Sequence, residues 1–284
     1  MIPSWMYNTL SATKDGFFFK GQEERIPENA PVQNSYVMLA NVLLKSRQGN
    51  FLIANDIAGI IEGTENADIW ISGGHILAHS IAHNDLYKVG HRLINEKDSN
   101  TATDFTRSFI CAVWTRAMML TAVPEIIDLY RQTSDSGARI RILIELADMF
   151  ESVRGELYES IDVGDEDFDE QAYIDILMKL YTSAMKEATK ADTKLFYRGS
   201  PFSFLGWTQG LLTRIGDDNP NELFVADRMI FEGHTGIRCS HFFTSNGKFL
   251  PHAAAATIED FLASDNTATY KAGVRYFFGH PIPD

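Results

Sequence analysis

The chain has 284 residues, of which 45% are hydrophobic and 12% aromatic; this composition excludes a disordered polypeptide and is sufficient for a sizeable core. Its net charge of −13 argues against non-specific nucleic-acid binding, because contacts with phosphates need Lys and Arg. We therefore expect no nucleic-acid partner, and the acidic balance fits either a basic protein partner or solubility alone.

The sequence predicts a cytoplasmic protein without membrane contact. Its two cysteines, Cys111 and Cys239, have apolar neighbours and do not form the pattern of a secreted disulfide framework. Residues 1–16 lack the basic segment and apolar core of a signal peptide. The longest apolar stretch, residues 109–123, is interrupted by Arg116 and is too short to span a bilayer.

Helical periodicity begins after an irregular lead-in at residues 1–31, where Pro27 and Pro31 disfavour a helix. The segment at residues 70–95 is either one long helix or a pair broken near Asn84. From the spacing of apolar residues we predict helices at 36–47, 51–62, 70–95, 103–122, 123–130, 138–155 and 170–190.

The pattern changes after residue 196, where Gly, Pro and aromatic residues become denser. We predict a helix at 204–215, a hairpin around Asn246 and Gly247, and a short helix at 257–263 with Thr257 as its N-cap. The predicted fold class is mainly α, with stacked antiparallel helices and a small mixed α/β C-terminal section. The predicted domains are residues 1–195, and residues 196–284 packed on those helices.

One helix pair, residues 123–150, resembles the HEAT-repeat family. Pro124 opens the first helix, Asp135 lies in the turn, and Arg139 and Arg141 open the second helix. The flanking segments do not repeat at a fixed spacing. The resemblance implies stacked antiparallel helices, which commonly form protein-binding surfaces.

Three histidines, His75, His79 and His83, follow one another at a spacing of four residues, which places them along one side of a helix. Neutral imidazoles at this spacing bind zinc in many proteins. Ile76 and Ser80 stand where a zinc protease would have its catalytic Glu. The histidines are therefore either core or interface residues, or ligands of zinc or iron in a metal-dependent enzyme.

An acidic stretch precedes the last long helix of the predicted series. Asp165, Asp167 and Asp169 alternate as calcium ligands do, but Glu170 and Ile176 stand where an EF-hand needs Gly and Glu, so we reject a calcium loop. The stretch is either a solvated loop or a docking patch for a basic partner. Its carboxylates are Glu156, Glu159, Asp162, Asp165, Glu166, Asp167, Asp169 and Glu170.

The C-terminal section offers a Glu, a His and an Arg for acid–base chemistry in Glu232, His234 and Arg238, which we place in a polar loop leading into a strand. No nucleophile or nucleotide-binding motif accompanies them. The alternative is a structural role in a hairpin, and we assign no catalytic residue.

An acidic, helical chain free of catalytic motifs resembles the bacterial immunity proteins that neutralise toxins. That resemblance implies a basic toxin as partner, with the carboxylates of residues 156–170 pairing with Lys or Arg around its active site. The alternatives are a metal-dependent enzyme at His75, His79 and His83, and a structural subunit of a larger assembly.

Overall fold

The computed structural model describes residues 35–95, 100–151, 157, 160–161, 168–215, 224–244 and 248–283. Its elements confirm the predicted class, mainly α with small antiparallel sheets toward the C-terminus. In chain order the helices and strands are α1 (Ser35–Arg47), α2 (Ala54–Glu62), α3 (Ala67–Ser80), α4 (His83–Asn95), α5 (Asn100–Arg116), α6 (Val123–Gln132), α7 (Ser136–Phe150), α8 (Glu170–Lys190), β1 (Phe196–Tyr197), β2 (Ser200–Pro201), α9 (Phe204–Ile215), α10 (Phe224–Thr235), α11 (Pro251–Leu262), β3 (Tyr276–Phe277) and β4 (His280–Pro281).

The contacts between residues divide the chain into two compact units. The split unit combines Met1–Ala82 with Phe204–Asp284, and the central unit is His83–Ser203. This grouping puts the first helices and the C-terminal section in the same unit, whereas we predicted from the sequence a domain boundary after residue 195. The predicted lead-in at residues 1–31 lies outside the described residues.

The segment at residues 70–95, predicted as either one long helix or a broken pair, consists of two helices. The first helix ends at Ser80, and Ile81 has extended backbone angles of φ −112° and ψ 141°. The buried Arg275 donates to the Ala78 carbonyl at 3.0 Å and also to the Ile81 carbonyl. A guanidinium at a helix C-terminus satisfies carbonyls that have no partner within the helix, so Arg275 stabilises this end of α3.

Thr257 is not an N-cap, and the prediction of a helix starting there is wrong. Helix α11 begins at Pro251 with Leu250 as its N-cap residue, and Thr257 lies within it, donating to the Ala253 carbonyl at 3.0 Å. Proline fits the first turn of a helix, and the alanines that follow have the highest helix propensity. These residues extend the helix upstream of the predicted start.

The predicted hairpin around Asn246 is reduced to one antiparallel bridge between Phe243 and Phe249. Ser240–Phe242 forms a 3₁₀ turn in place of the expected strand. The turn residues 245–247 lie outside the described part of the chain.

Two hairpins with the same local sequence occur in the structure, one in each unit. Strands β1 and β2 belong to the segment FYRGSP and strands β3 and β4 to the segment YFFGHP, so both have an aromatic pair, Gly and Pro at equivalent positions. Both loop residues have positive φ in each case: 47° and 75° at Arg198 and Gly199, and 50° and 79° at Phe278 and Gly279. Two such residues form the turn that matches strand twist in a two-residue hairpin.

Each hairpin also closes the C-terminal end of a helix in its own unit. The Gly199 amide donates to the Met149 carbonyl in α7 at 3.0 Å, and the Gly279 amide donates to the His234 carbonyl in α10 at 2.8 Å. Helix C-termini present carbonyls that need donors from outside the helix. The two hairpins are therefore the same structural device used twice.

In the central unit, α5 packs against α7 through a polar contact as well as apolar side chains. Arg116 at the end of α5 pairs with Glu145 of α7, with 2.6 Å between Nη2 and Oε1, and Thr115 donates to the same carboxylate at 3.2 Å. Arginine and carboxylate form strong charge-assisted hydrogen bonds, which fix the contact between the two helices.

Candidate interaction site

The acidic stretch is described only at its last two members. Asp169 is the N-cap of α8 and accepts from the Ala172 amide at 3.0 Å, while Glu170 pairs with Arg139. Both carboxylates therefore have structural roles inside the central unit. The other six lie outside the described residues: Glu156, Glu159, Asp162, Asp165, Glu166 and Asp167.

Leu157 and Phe168, which lie on either side of the undescribed carboxylates from Glu159 to Asp167, both contact other residues of the central unit. The Leu157 side chain is buried, its amide donates to Glu151 Oε1 at 2.8 Å, and its carbonyl accepts from the Tyr173 hydroxyl at 3.2 Å. At the other side, the Phe168 ring packs on the Tyr173 ring with 5.7 Å between centroids. Tyr173 thus contacts both Leu157 and Phe168.

The three predicted metal ligands do not share a helix. His75 and His79 lie on α3 with ring centroids 6.5 Å apart, but His83 is the first residue of α4, and its Nε2 is 2.9 Å from the Ala117 carbonyl. The prediction of one histidine-bearing helix face is wrong because α3 ends at Ser80. Among the residues that the structure describes, no three His, Cys, Asp or Glu side chains are grouped as metal ligands. Binding of zinc or iron stays a prediction.

Glu232 and His234 lie on α10, so their predicted place in a polar loop is wrong. Both are buried, and His234 Nδ1 is 2.9 Å from the Ile230 carbonyl while its ring stacks on Phe204 at 4.5 Å. Burial raises the pKa of Glu232 to about 7, against the opposing effect of Arg228, and burial lowers the pKa of His234 to about 3. These side chains belong to the core of the split unit.

Three partly exposed side chains on the central unit surround a buried tryptophan in a cluster that was not predicted from the sequence. Tyr87 and His91 of α4 lie over the buried Trp114 of α5, and Glu125 of α6 is beside them. We call these four residues the aromatic–carboxylate cluster. The sequence held one signal for it, an aromatic residue and a histidine four positions apart with Gly90 between them.

Gly90 allows the cluster to form. A Cβ at this position would lie 2.6 Å from Trp114 Cζ2 and 2.9 Å from Ile110 Cγ2, so no larger residue fits without displacement. The close approach of α4 and α5 brings the Tyr87 ring to 5.0 Å and the His91 ring to 6.0 Å from the Trp114 ring. The Tyr87 and His91 rings are nearly parallel to each other, with 18° between their planes and 6.1 Å between their centroids.

The carboxylate of the cluster is held at its edge. Glu125 Oε1 is 2.9 Å from His91 Nε2, and the two side chains are 30% and 52% exposed. The pKa of Tyr87 is raised, mainly by burial and further by the charge of Glu125 and by the nearby Tyr181 of α8. The Tyr87 hydroxyl donates to the Thr121 carbonyl at 3.3 Å. The arrangement thus places two partly exposed aromatic rings beside a partly exposed carboxylate.

A shallow groove of about 370 Å³ lies on the outer face of α8, lined by Met178, Lys179, Thr182, Ser183 and Lys186. Its two lysines make it unsuitable for a basic partner.

No protein-family model, curated protein or solved structure matches this chain. In the part of the chain that the structure describes, every helix is too short or too polar to cross a membrane.

Proposed function

We propose that this chain is an acidic helical binding protein that docks a basic protein and inhibits it by occlusion. The observation that carries the proposal is the acidic stretch. Residues 156–170 contain eight Asp or Glu and no Lys or Arg, a net charge of −8 within a chain of net charge −13. Such a concentration of one sign attracts an oppositely charged partner and speeds its association.

The attachment of the stretch to the central unit supports a role in docking. Two described residues of the stretch, Leu157 and Asp169, are fixed by contacts in that unit. Residues that are already fixed before a partner binds lose less conformational entropy on binding.

The partner class that we propose is a basic toxin, with this chain as its immunity protein in the cytoplasm. An inhibitor needs to cover the charged residues of its target, and a run of carboxylates complements Lys and Arg around an active site.

Affinity capture with three baits tests the proposal. The first is the wild-type chain, and the second replaces Asp162, Asp165, Glu166 and Asp167 with their amides, leaving the structural Asp169 and Glu170 intact. The third is a matched control in which four exposed carboxylates elsewhere become amides, at Glu65, Glu259, Asp260 and Asp265. We expect wild type and control to recover the same basic protein, and the second bait to lose it.

Recovery of the same proteins by all three baits contradicts docking through the stretch. Metal analysis of the wild-type sample separates the alternative, since a metal-dependent enzyme retains zinc or iron in stoichiometric amount and an inhibitor of the proposed kind does not need it.

A further inference from the structure

We propose that the aromatic–carboxylate cluster is an anchor site for one arginine or lysine side chain of the basic partner. This inference rests on the proposed function and adds a second contact to it, in which a single cation is bound by shape and not only by net charge. Aromatic rings attract cations through the negative potential of their faces, and the effect grows when the cation is partly removed from water.

The parts that recognise a cation are all present within the central unit. Tyr87 and His91 offer two nearly parallel rings, and the Glu125 carboxylate beside them is 30% exposed. A guanidinium stacks on an aromatic face and donates charge-assisted hydrogen bonds to a carboxylate at the same time, whereas a neutral side chain lacks the charge that strengthens both contacts. The chemistry of the cluster therefore selects arginine first and lysine second.

The rings are in place before any partner arrives. Trp114 is fully buried beneath them and its indole N–H donates to the Leu86 carbonyl at 3.3 Å, while Gly90 seats α4 closely on α5. The Tyr87 hydroxyl is fixed on the Thr121 carbonyl. A preformed site loses less conformational entropy on binding, which is typical of the anchor positions in protein interfaces.

Helix α8 relates the anchor to the acidic stretch. Glu170 begins the helix, and Tyr181, whose hydroxyl contributes to the environment of Tyr87, follows eleven residues later. Eleven residues are about three helical turns, so the two side chains lie on the same side of α8 and about 16 Å apart along its axis.

The test uses a capped tripeptide, acetyl-Gly-Arg-Gly-amide, and the same peptide with citrulline, the neutral isostere of arginine. Binding to the full chain is followed by NMR through the His91 ring signal, which an H91N variant identifies. We expect the arginine peptide to shift this signal and the citrulline peptide to shift it much less at the same concentration. Glu125→Gln and Tyr87→Leu should each weaken binding roughly three- to tenfold.

Asp128→Asn is the matched control, because Asp128 lies one turn further along α6, is 64% exposed and pairs with Arg131. It should bind the tripeptide as wild type does. The proposal is overturned if the two peptides bind equally well, or if the arginine peptide does not shift the His91 signal. It is also overturned if the Glu125→Gln and Asp128→Asn variants bind the arginine peptide with equal affinity.

Failure of the anchor is distinguishable from failure of the proposed function. The variant with the neutralised acidic stretch should still bind the tripeptide, since the anchor remains. If a basic partner is captured and Glu125→Gln leaves its affinity unchanged, the anchor fails alone. If the tripeptide binds as expected but no bait recovers a basic partner, the docking function fails and the cation site stands.

Discussion

Glu232 and His234, two residues apart on α10, illustrate how burial acts on single side chains in opposite directions. The pKa of Glu232 rises from its ordinary 4.5 to about 7, and that of His234 falls from its ordinary 6.5 to about 3. Between pH 4.5 and 6.5 the folded state binds its extra proton at Glu232, whereas the unfolded chain binds it at His234. The two contributions to the pH dependence of stability therefore nearly cancel in this window.

We expect Glu232→Gln to expose the contribution of His234. When folding lowers the pKa of a histidine, the folded state becomes less stable as the pH falls below 6.5. The reason is that the unfolded chain binds the proton more tightly than the folded state does. As the pH is lowered from 6.5 to 4.5, the free energy of unfolding of the variant should decrease more steeply than that of the wild type. The difference between the two slopes should be about 1.4 kcal/mol per pH unit. Urea titrations at several pH values measure the free energy of unfolding of both proteins. If this free energy had the same pH dependence in the variant and the wild type, the prediction would be refuted.

At the scale of elements, both units use the same means to end a helix: donors supplied from a distant part of the sequence. The two hairpins place glycine amides on the carbonyls of Met149 and His234, and Arg275 does the same for the carbonyls of Ala78 and Ile81. These contacts join segments far apart in sequence, so they limit how helix ends can be inferred from local patterns alone.

Arg275→Met should destabilise the chain by at least about 2 kcal/mol, because it leaves two buried carbonyls without their donor. Lys271→Met removes an exposed cation from the same region and should change the free energy of unfolding little. Chemical denaturation of both variants checks the difference, and equal stability would show that Arg275 does not hold the end of α3.

Gly90→Ala should destabilise the chain by about 1–3 kcal/mol, since the new methyl group meets Trp114 and Ile110 at less than 3.0 Å. Gly59→Ala is the control, because the added Cβ has no neighbour within 4 Å and alanine favours a helix, so stability should rise. The two variants are compared by thermal unfolding. A Gly90→Ala protein as stable as Gly59→Ala would contradict the close approach of α4 and α5.

The sequence predicted helices well where a periodic apolar face met a local start or stop signal. The helix at 204–215 and the helix pair around Asp135, which caps α7, are examples. Prediction failed where tertiary contacts decided the outcome. The end of α3 depends on Arg275 almost 200 residues away, and the aromatic–carboxylate cluster depends on the packing of three helices, which no local spacing reveals.

Across the whole molecule, negative charge is distributed unevenly along the chain. The central unit carries 21 Asp or Glu and 14 Lys or Arg, a net charge of −7, and the split unit carries 17 and 11, a net charge of −6. The units thus have nearly equal net charge, and what distinguishes the central one is that a run of −8 lies within residues 156–170. Local concentration, more than total charge, sets the field that a partner meets.

The most direct measurement is the dissociation constant of the captured basic partner at roughly 50 and 200 mM salt, for wild type and for the variant with amides at Asp162, Asp165, Glu166 and Asp167. Attraction between exposed charges weakens as salt screens it. We expect wild-type binding to weaken strongly with salt, and the variant to bind more weakly with a much smaller dependence on salt. Equal affinity and equal salt dependence for the two proteins would contradict it.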